Sequence, residues 1–182
     1  MQNENFKKLY VDELKDLFSA ENQLLKALPK MAKAASSDEL RAGFEQHLEQ
    51  TKVQVQRLEE IFQSLDDNPK GKKCVAMQGL VKEGAEVMEE GFEDAVLDAG
   101  LIGAARRVEH YEMAAYSSVC EIAKVLGQTK HASLLEKTLV EEKQTDEKLA
   151  RLATDVNTKA NQEGSDDQQD SPVGKKTQKR AA

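Results

Sequence analysis

The sequence contains no tryptophan, only 3 prolines and 4 % aromatic residues in 182 positions. Glu, Ala, Leu, Lys and Gln dominate instead, which is the composition of a helix former. The 2 cysteines, Cys74 and Cys120, form no CxxC pair; two such distant residues read as reduced thiols rather than a disulfide framework. No stretch has the length of a membrane span, and the most apolar one, "AVLDAGLIGAA", is interrupted by Asp98. The opening "MQNENFKKLY" lacks the apolar core of a signal peptide. Together these absences predict a soluble, cytoplasmic protein. The net charge is −7, which argues against the phosphate electrostatics of general nucleic-acid binding. A Gly-rich phosphate loop, a GxSxG elbow and a Ser/His/Asp signature are also missing.

What is present is a helical period. Tyr10, Leu14, Leu17, Glu21, Leu24, Leu28, Met31 and Ala35 follow alternating steps of four and three. So do Leu40, Phe44, Leu48, Thr51, Val55, Leu58, Phe62 and Leu65. A third stripe runs through Ile102, Ala105, Glu109, Glu112, Tyr116, Val119, Ala123 and Leu126, and a fourth through Leu135, Thr138, Glu142, Thr145, Leu149, Leu152 and Val156. Four such stripes predict four amphipathic helices around one core. Ser36 with Glu39 reads as a capping box, and Gly127 with Thr129 as a helix stop and a new cap. The four helices therefore form two antiparallel hairpins.

The connection between hairpins is long. "DDNPKGKK" (66–73) is a loop, and residues 74–91 suggest a short fifth helix. Two hairpins joined by one long crossover are the ferritin-like arrangement. The helical domain is expected over residues 1–158. Residues 159–182 read as a disordered tail, whose basic end "KKTQKR" is taken as solvated.

Four carboxylates interrupt the apolar stripes. Glu21, Glu109, Glu112 and Glu142 sit at inward positions near the middle of three helices, so an antiparallel bundle brings them to one level. An unpaired buried carboxylate costs several kcal/mol, so four together rival the roughly 5–15 kcal/mol that holds a domain folded. The stripes hold no Lys or Arg, although Lys52 and Arg106 lie toward their edges. Divalent cations are the simplest compensation, and an oxygen-rich site suits iron or manganese. In the second stripe, "HLEQTK" (47–52) aligns with "EEKQTD" (141–146), placing Thr51 over Thr145 and His47 over Glu141. His47 and Glu49 are rival ligands there. Asp146, four residues after Glu142, is a further ligand or a supporting group. Tyr116, one turn beyond Glu112, is placed to hydrogen-bond a ligand. His110 points off the stripe toward a carboxylate of the extra helix or of a partner, and His131 reads as a surface residue.

The segments "LFSAENQLLKALPKMAKAASSDEL", "HLEQT", "CVAMQGLVKEG", "VEHYEMAAY" and "LLEKTLVEEKQTD" resemble the YciE/YciF ferritin-like stress proteins, a rubrerythrin-related group. The resemblance spans about residues 6–157. It implies an all-α four-helix bundle, a homodimer through the short helix at 74–91, and a stress-associated, ferroxidase-type activity. It implies two iron ions on Glu21, Glu49, Glu109, Glu112 and Glu142. The sequence departs from the di-iron pattern at Lys52 and Asp146, where histidines are usual. The favoured expectation is Fe(II) oxidation by O2 or peroxide. Glu21 and Glu109 would be terminal ligands, Glu142 and a residue of the second stripe would bridge, and Glu112 would complete one ion. The competing expectation is a metal-free helical dimer acting as a structural or interaction protein.

Overall fold

The computed structural model describes residues 3–166. Its elements are α1 (Glu4–Ala34), α2 (Asp38–Leu65), α3 (Val75–Glu89), α4 (Asp94–Val125) and α5 (Thr129–Asp166). Among the described residues all regular structure is helical. α1 and α2 form one antiparallel hairpin and α4 and α5 the other, with α3 in the crossover, packed on α4 and α1. α1 also lies against α4, and α2 against α5, which closes the four long helices around a common interior.

Each joint has a local cause. Asn3 caps α1 by accepting from the backbone N–H groups of Asn5 and Phe6. The cap of α2 is Ser37, one residue later than the capping-box pattern places it. Asp98 of α4 holds the same turn, its two oxygens accepting from the N–H groups of Ser36 and Ser37 at 2.8 Å each. Asp98, an interruption in the apolar run, is thus the buried group that ties the first hairpin's turn to the second hairpin. Gly127, at φ 72°, ends α4, and Thr129 is the first residue of α5 rather than its cap. Cys74 caps α3 through its sulfur; both cysteines are buried and free.

His131 differs from its surface reading. It is 4 % exposed. Its Nδ1 meets the Tyr10 hydroxyl at 3.1 Å and its Nε2 meets the Ser64 hydroxyl at 2.6 Å. Ser64 donates its proton to the Ile61 carbonyl, so the ring donates to Ser64 and accepts from Tyr10, linking α5, α2 and α1. Proximity to a helix start suggested exposure, but the first turn of α5 is covered by the ends of α1 and α2.

α5 continues to Asp166, past the point where the apolar pattern stops. Val156 is its last buried apolar residue, and neither proline nor glycine interrupts the chain before Gly164, so no breaker stops the helix there. The remainder of the segment read as a tail, including "KKTQKR", lies outside the described residues.

The apolar interior is divided in two. One cluster holds Tyr10, Leu14, Leu17, Leu58, Phe62, Val119 and Leu135. The other holds Leu24, Leu28, Leu40, Phe44, Leu101, Ile102 and Leu149. In every long helix the change from one cluster to the other falls at a polar position: Glu21, residues 47–54, residues 109–112, and residues 142–145. A polar layer therefore crosses the bundle at mid-height.

Candidate metal centre

The layer is built from small polar intrusions into helices whose flanking turns are apolar. Glu21, His47, Glu109, Glu112 and Glu142 are all buried, none more than 3 % exposed. One ligand atom from each of His47, Glu109, Glu112 and Glu142 lies within 4.8 Å of all the others. Glu21 faces them from α1 and accepts a short hydrogen bond from the Tyr116 hydroxyl.

The histidine's orientation follows from its neighbours. Thr145 donates its hydroxyl proton to the Glu141 carbonyl at 3.1 Å. Its oxygen is then left to accept from His47 Nδ1, 3.4 Å away. The opposite nitrogen, Nε2, is turned to Glu109 at 3.4 Å and to Glu142 at 3.7 Å and makes no hydrogen bond. Thr51 binds the His47 carbonyl at 3.0 Å. The aligned threonines of α2 and α5 thus make the same bond, each to the residue four before it.

Other buried side-chain atoms without a partner converge on the same layer. They are Glu21 Oε2, Gln54 Oε1, Glu109 Oε2, both oxygens of Glu112, and Glu142 Oε2. Native interiors pair nearly all such atoms, so their concentration at one level marks a place built for something that binds oxygen and nitrogen donors. No Lys or Arg ion pair reaches any of the four carboxylates among the described residues. Burial raises the pKa of Glu21, Glu109 and Glu112 well above the ordinary carboxylate value, and the charges of neighbouring carboxylates add to it. Glu142 is also raised by burial, with His47 pulling it back. Burial, then the charge on Glu21, raises Tyr116, which keeps its hydroxyl a donor.

Two candidate ligands are not brought to the layer. Glu49 lies on the outer face of α2, 70 % exposed, paired with Lys52 at 2.6 Å. Asp146 is held by Arg106 at 2.7 and 3.2 Å, with His110 Nε2 at 3.4 Å. Arg106 holds its carboxyl below the usual range. The edge cations Lys52 and Arg106 thus neutralise Glu49 and Asp146 outside the layer and do not reach inward. His110, expected to reach the extra helix or a partner, is largely exposed and contacts α5 instead.

Three residues were missed. Gln54, 1 % exposed, donates a short hydrogen bond to Glu142 and a second to Glu141 at 3.1 Å. Arg57 clamps Glu141 through two bonds of 2.6 and 2.7 Å. Burial favours protonation of Glu141, but the bonds from Arg57 and Gln54 prevail and hold it below its ordinary value. The available signal was Thr51 with Gln54, a polar pair three apart that repeats the spacing of Glu109 and Glu112.

Comparison with known proteins fits this frame. The family described as "Domain of unknown function (DUF892)" matches residues 5–162. Protein YciF of Escherichia coli (strain K12) is 46 % identical over 155 residues, covering 84 % of this chain and 93 % of that protein. The chain belongs to the YciF family. The crystal structure of the E. coli stress protein YciF superimposes with a TM-score of 0.82 at 42 % identity, covering 87 % of this chain and 99 % of that one. A ferritin-like, diiron-carboxylate protein from Bacillus anthracis str. Ames superimposes with a TM-score of 0.65 at 19 % identity, covering 84 % and 99 %. That likeness establishes the ferritin-like fold alone. This YciF-family chain therefore combines a ferritin-like bundle with a buried His/Glu group compatible with a metal site. No helix among its described residues is long and apolar enough to cross a membrane.

Proposed function

We propose that the chain is a cytoplasmic, stress-associated protein that holds two iron ions, or manganese in their place, in the carboxylate layer and oxidises Fe(II) with O2 or peroxide. The observation that carries this reading is His47. With the ring neutral, Nε2 presents a lone pair to carboxylate oxygens at 3.4 and 3.7 Å, and a cation between them satisfies all three. The charge balance agrees: Glu21, Glu109, Glu112 and Glu142 supply four negative charges, and two divalent ions supply four positive. These carboxylates and His47 would hold the ions.

Iron would supply one-electron chemistry, two Fe(II) ions giving the electron pair that, with two protons, takes O2 to hydrogen peroxide or peroxide to water. The chain supplies the rest. Tyr116 fixes Glu21, Gln54 fixes Glu142, Thr145 aims His47, and the two apolar clusters keep bulk water from the layer. The buried free cysteines are consistent with a reducing compartment, and the E. coli relative is described as a stress protein. Pairing with a second copy through α3 belongs to the same reading; Val75, at the start of that helix, is 73 % exposed.

Elemental analysis of protein purified without chelator tests the proposal. The expected result is two iron or manganese ions per chain, a higher Tm on adding either metal, and loss of metal uptake and Fe(II) oxidation in the Glu109→Gln/Glu112→Gln double variant. Absence of both metals with no thermal shift would instead support a metal-free helical dimer with a structural or interaction role. Unchanged oxidation in the double variant would overturn the assignment of the site.

A further inference from the structure

The bundle leaves a small chamber beside the polar layer. It has a volume of about 40 Å³ and is walled by Leu28, Met31, Phe44 and Leu149, with His47 and Glu109 at its inner end. At its outer end lie the exposed Gln46 and Lys148, whose side chains meet at 3.4 Å across α2 and α5. A space of this size holds a molecule of a few atoms and little more.

Gly43 also lines the chamber. It lies within α2, where glycine weakens a helix. A Cβ at Gly43 meets nothing within 4 Å, so packing does not require glycine there. Because Gly43 lines the chamber, a large side chain at this position would have room to narrow it.

We propose that this chamber admits dioxygen and holds it against the His47–Glu109 side of the layer. Its leucine, methionine and phenylalanine walls suit a small apolar molecule. Hydrogen peroxide would find hydrogen-bond partners only in polar side chains such as His47, Glu109 and Thr145 and none along these walls. The use of the gas rests on the iron-oxidising reading: two Fe(II) ions give one electron each, and with two protons O2 becomes hydrogen peroxide. The chamber's preference for an apolar gas does not rest on it.

Xenon is an apolar probe for such cavities. Crystals of the metal-free protein pressurised with xenon should show an atom among Gly43, Phe44 and Leu149. That atom should be weakened in Gly43→Ala and absent in Gly43→Leu. In the iron-loaded protein, rapid mixing should show Gly43→Leu slowing oxidation by O2 at least tenfold, with peroxide-driven oxidation within twofold of the parent and Mn(II) affinity unchanged. No xenon in the parent protein, xenon retained in Gly43→Leu, or equal slowing with both oxidants would overturn the proposal. A failure of the parent protein to bind iron would sink the iron-oxidising reading while the xenon experiment still decided the chamber.

Discussion

Tyr116 of α4 gives its hydroxyl proton to Glu21 of α1 across the polar layer, and among the described residues no other donor reaches that carboxylate. The tyrosine is itself buried, 1 % exposed, so no water replaces the bond when it is cut. Tyr116→Phe should therefore destabilise the metal-free protein by about 1–3 kcal/mol, the cost of an unsatisfied buried group. If ions occupy the layer, Glu21 gains another partner and the loss should shrink under saturating Mn(II). Urea unfolding with and without the metal measures both quantities.

The carboxylates make an opposite demand on pH from the usual one. Glu112 titrates near 4.3 in the unfolded chain and well above that in the fold, because burial and then the charge on Glu21 disfavour its ionised form. A raised carboxylate binds protons more tightly in the fold, so its contribution is full below about pH 4.3 and is lost as pH rises through the folded value. Glu112→Gln removes that dependence. The variant should gain stability over the metal-free parent as pH is raised from 4 to 8, and the gain should vanish when Mn(II) saturates the parent. Denaturant midpoints of the two proteins across this range provide the check.

Asp98 contributes from outside the layer. Its two bonds to the N–H groups of Ser36 and Ser37 are made by a side chain 2 % exposed. Hydrogen bonds involving a charged group contribute roughly 1.5–3 kcal/mol. Asp98→Ala removes both and leaves two turn donors unpaired, so a loss of about 3 kcal/mol is expected. Metal content per folded chain should not change, because Asp98 is remote from the ligand group. A lower Tm with unaltered metal stoichiometry distinguishes this structural role.

These residues show what a single sequence discloses. Glu109 and Glu112 were legible because each stands alone among apolar neighbours at helical spacing, and burial of that face is dictated by the residues around them. Asp98 broke its run in the same way, but its partners are backbone groups of another hairpin, which no side-chain pattern encodes. α2 was the least legible wall. Its inward groups are an imidazole, a hydroxyl and an amide, types that sit as readily on a surface, and of its two rival ligands His47 faces the layer while the carboxylate, Glu49, faces solvent. Gln54 adjoins Val55 of the apolar stripe, so its inward position depended on the exact phase of a helix. That phase was set by packing against α5.

The α3 surface yields a separate expectation. Val75 at its start and Phe92 just after its end are 73 % and 48 % exposed, which is costly for large apolar groups in water. If they are covered by a second copy, sedimentation should give twice the chain's mass, and Val75→Glu with Phe92→Glu should return a single-chain species. A parent protein that sediments as one chain at high concentration would dismiss the pairing.

Gln54 allows the charge balance to be tested directly. Its amide nitrogen already bonds Glu142 and Glu141, and its Oε1 has no partner. Gln54→Glu keeps the shape, removes the donor and adds a fifth carboxylate to a layer with no basic side chain paired to it. Without metal, the new group faces the Glu142 and Glu141 carboxylates, and the nearby Arg57 is already committed to Glu141 through two bonds, so a loss of several kcal/mol is expected, as for a buried charge left unpaired. With divalent ions present, α2 acquires the carboxylate that it otherwise lacks. The rise in Tm on adding Mn(II) should then exceed that of the parent, and half-saturation should occur at a lower metal concentration, by about tenfold for each 1.4 kcal/mol gained. Calorimetry on the two proteins at one pH measures both. If Gln54→Glu lowers the metal-free Tm and metal restores nothing, the layer is a polar core without a cation site.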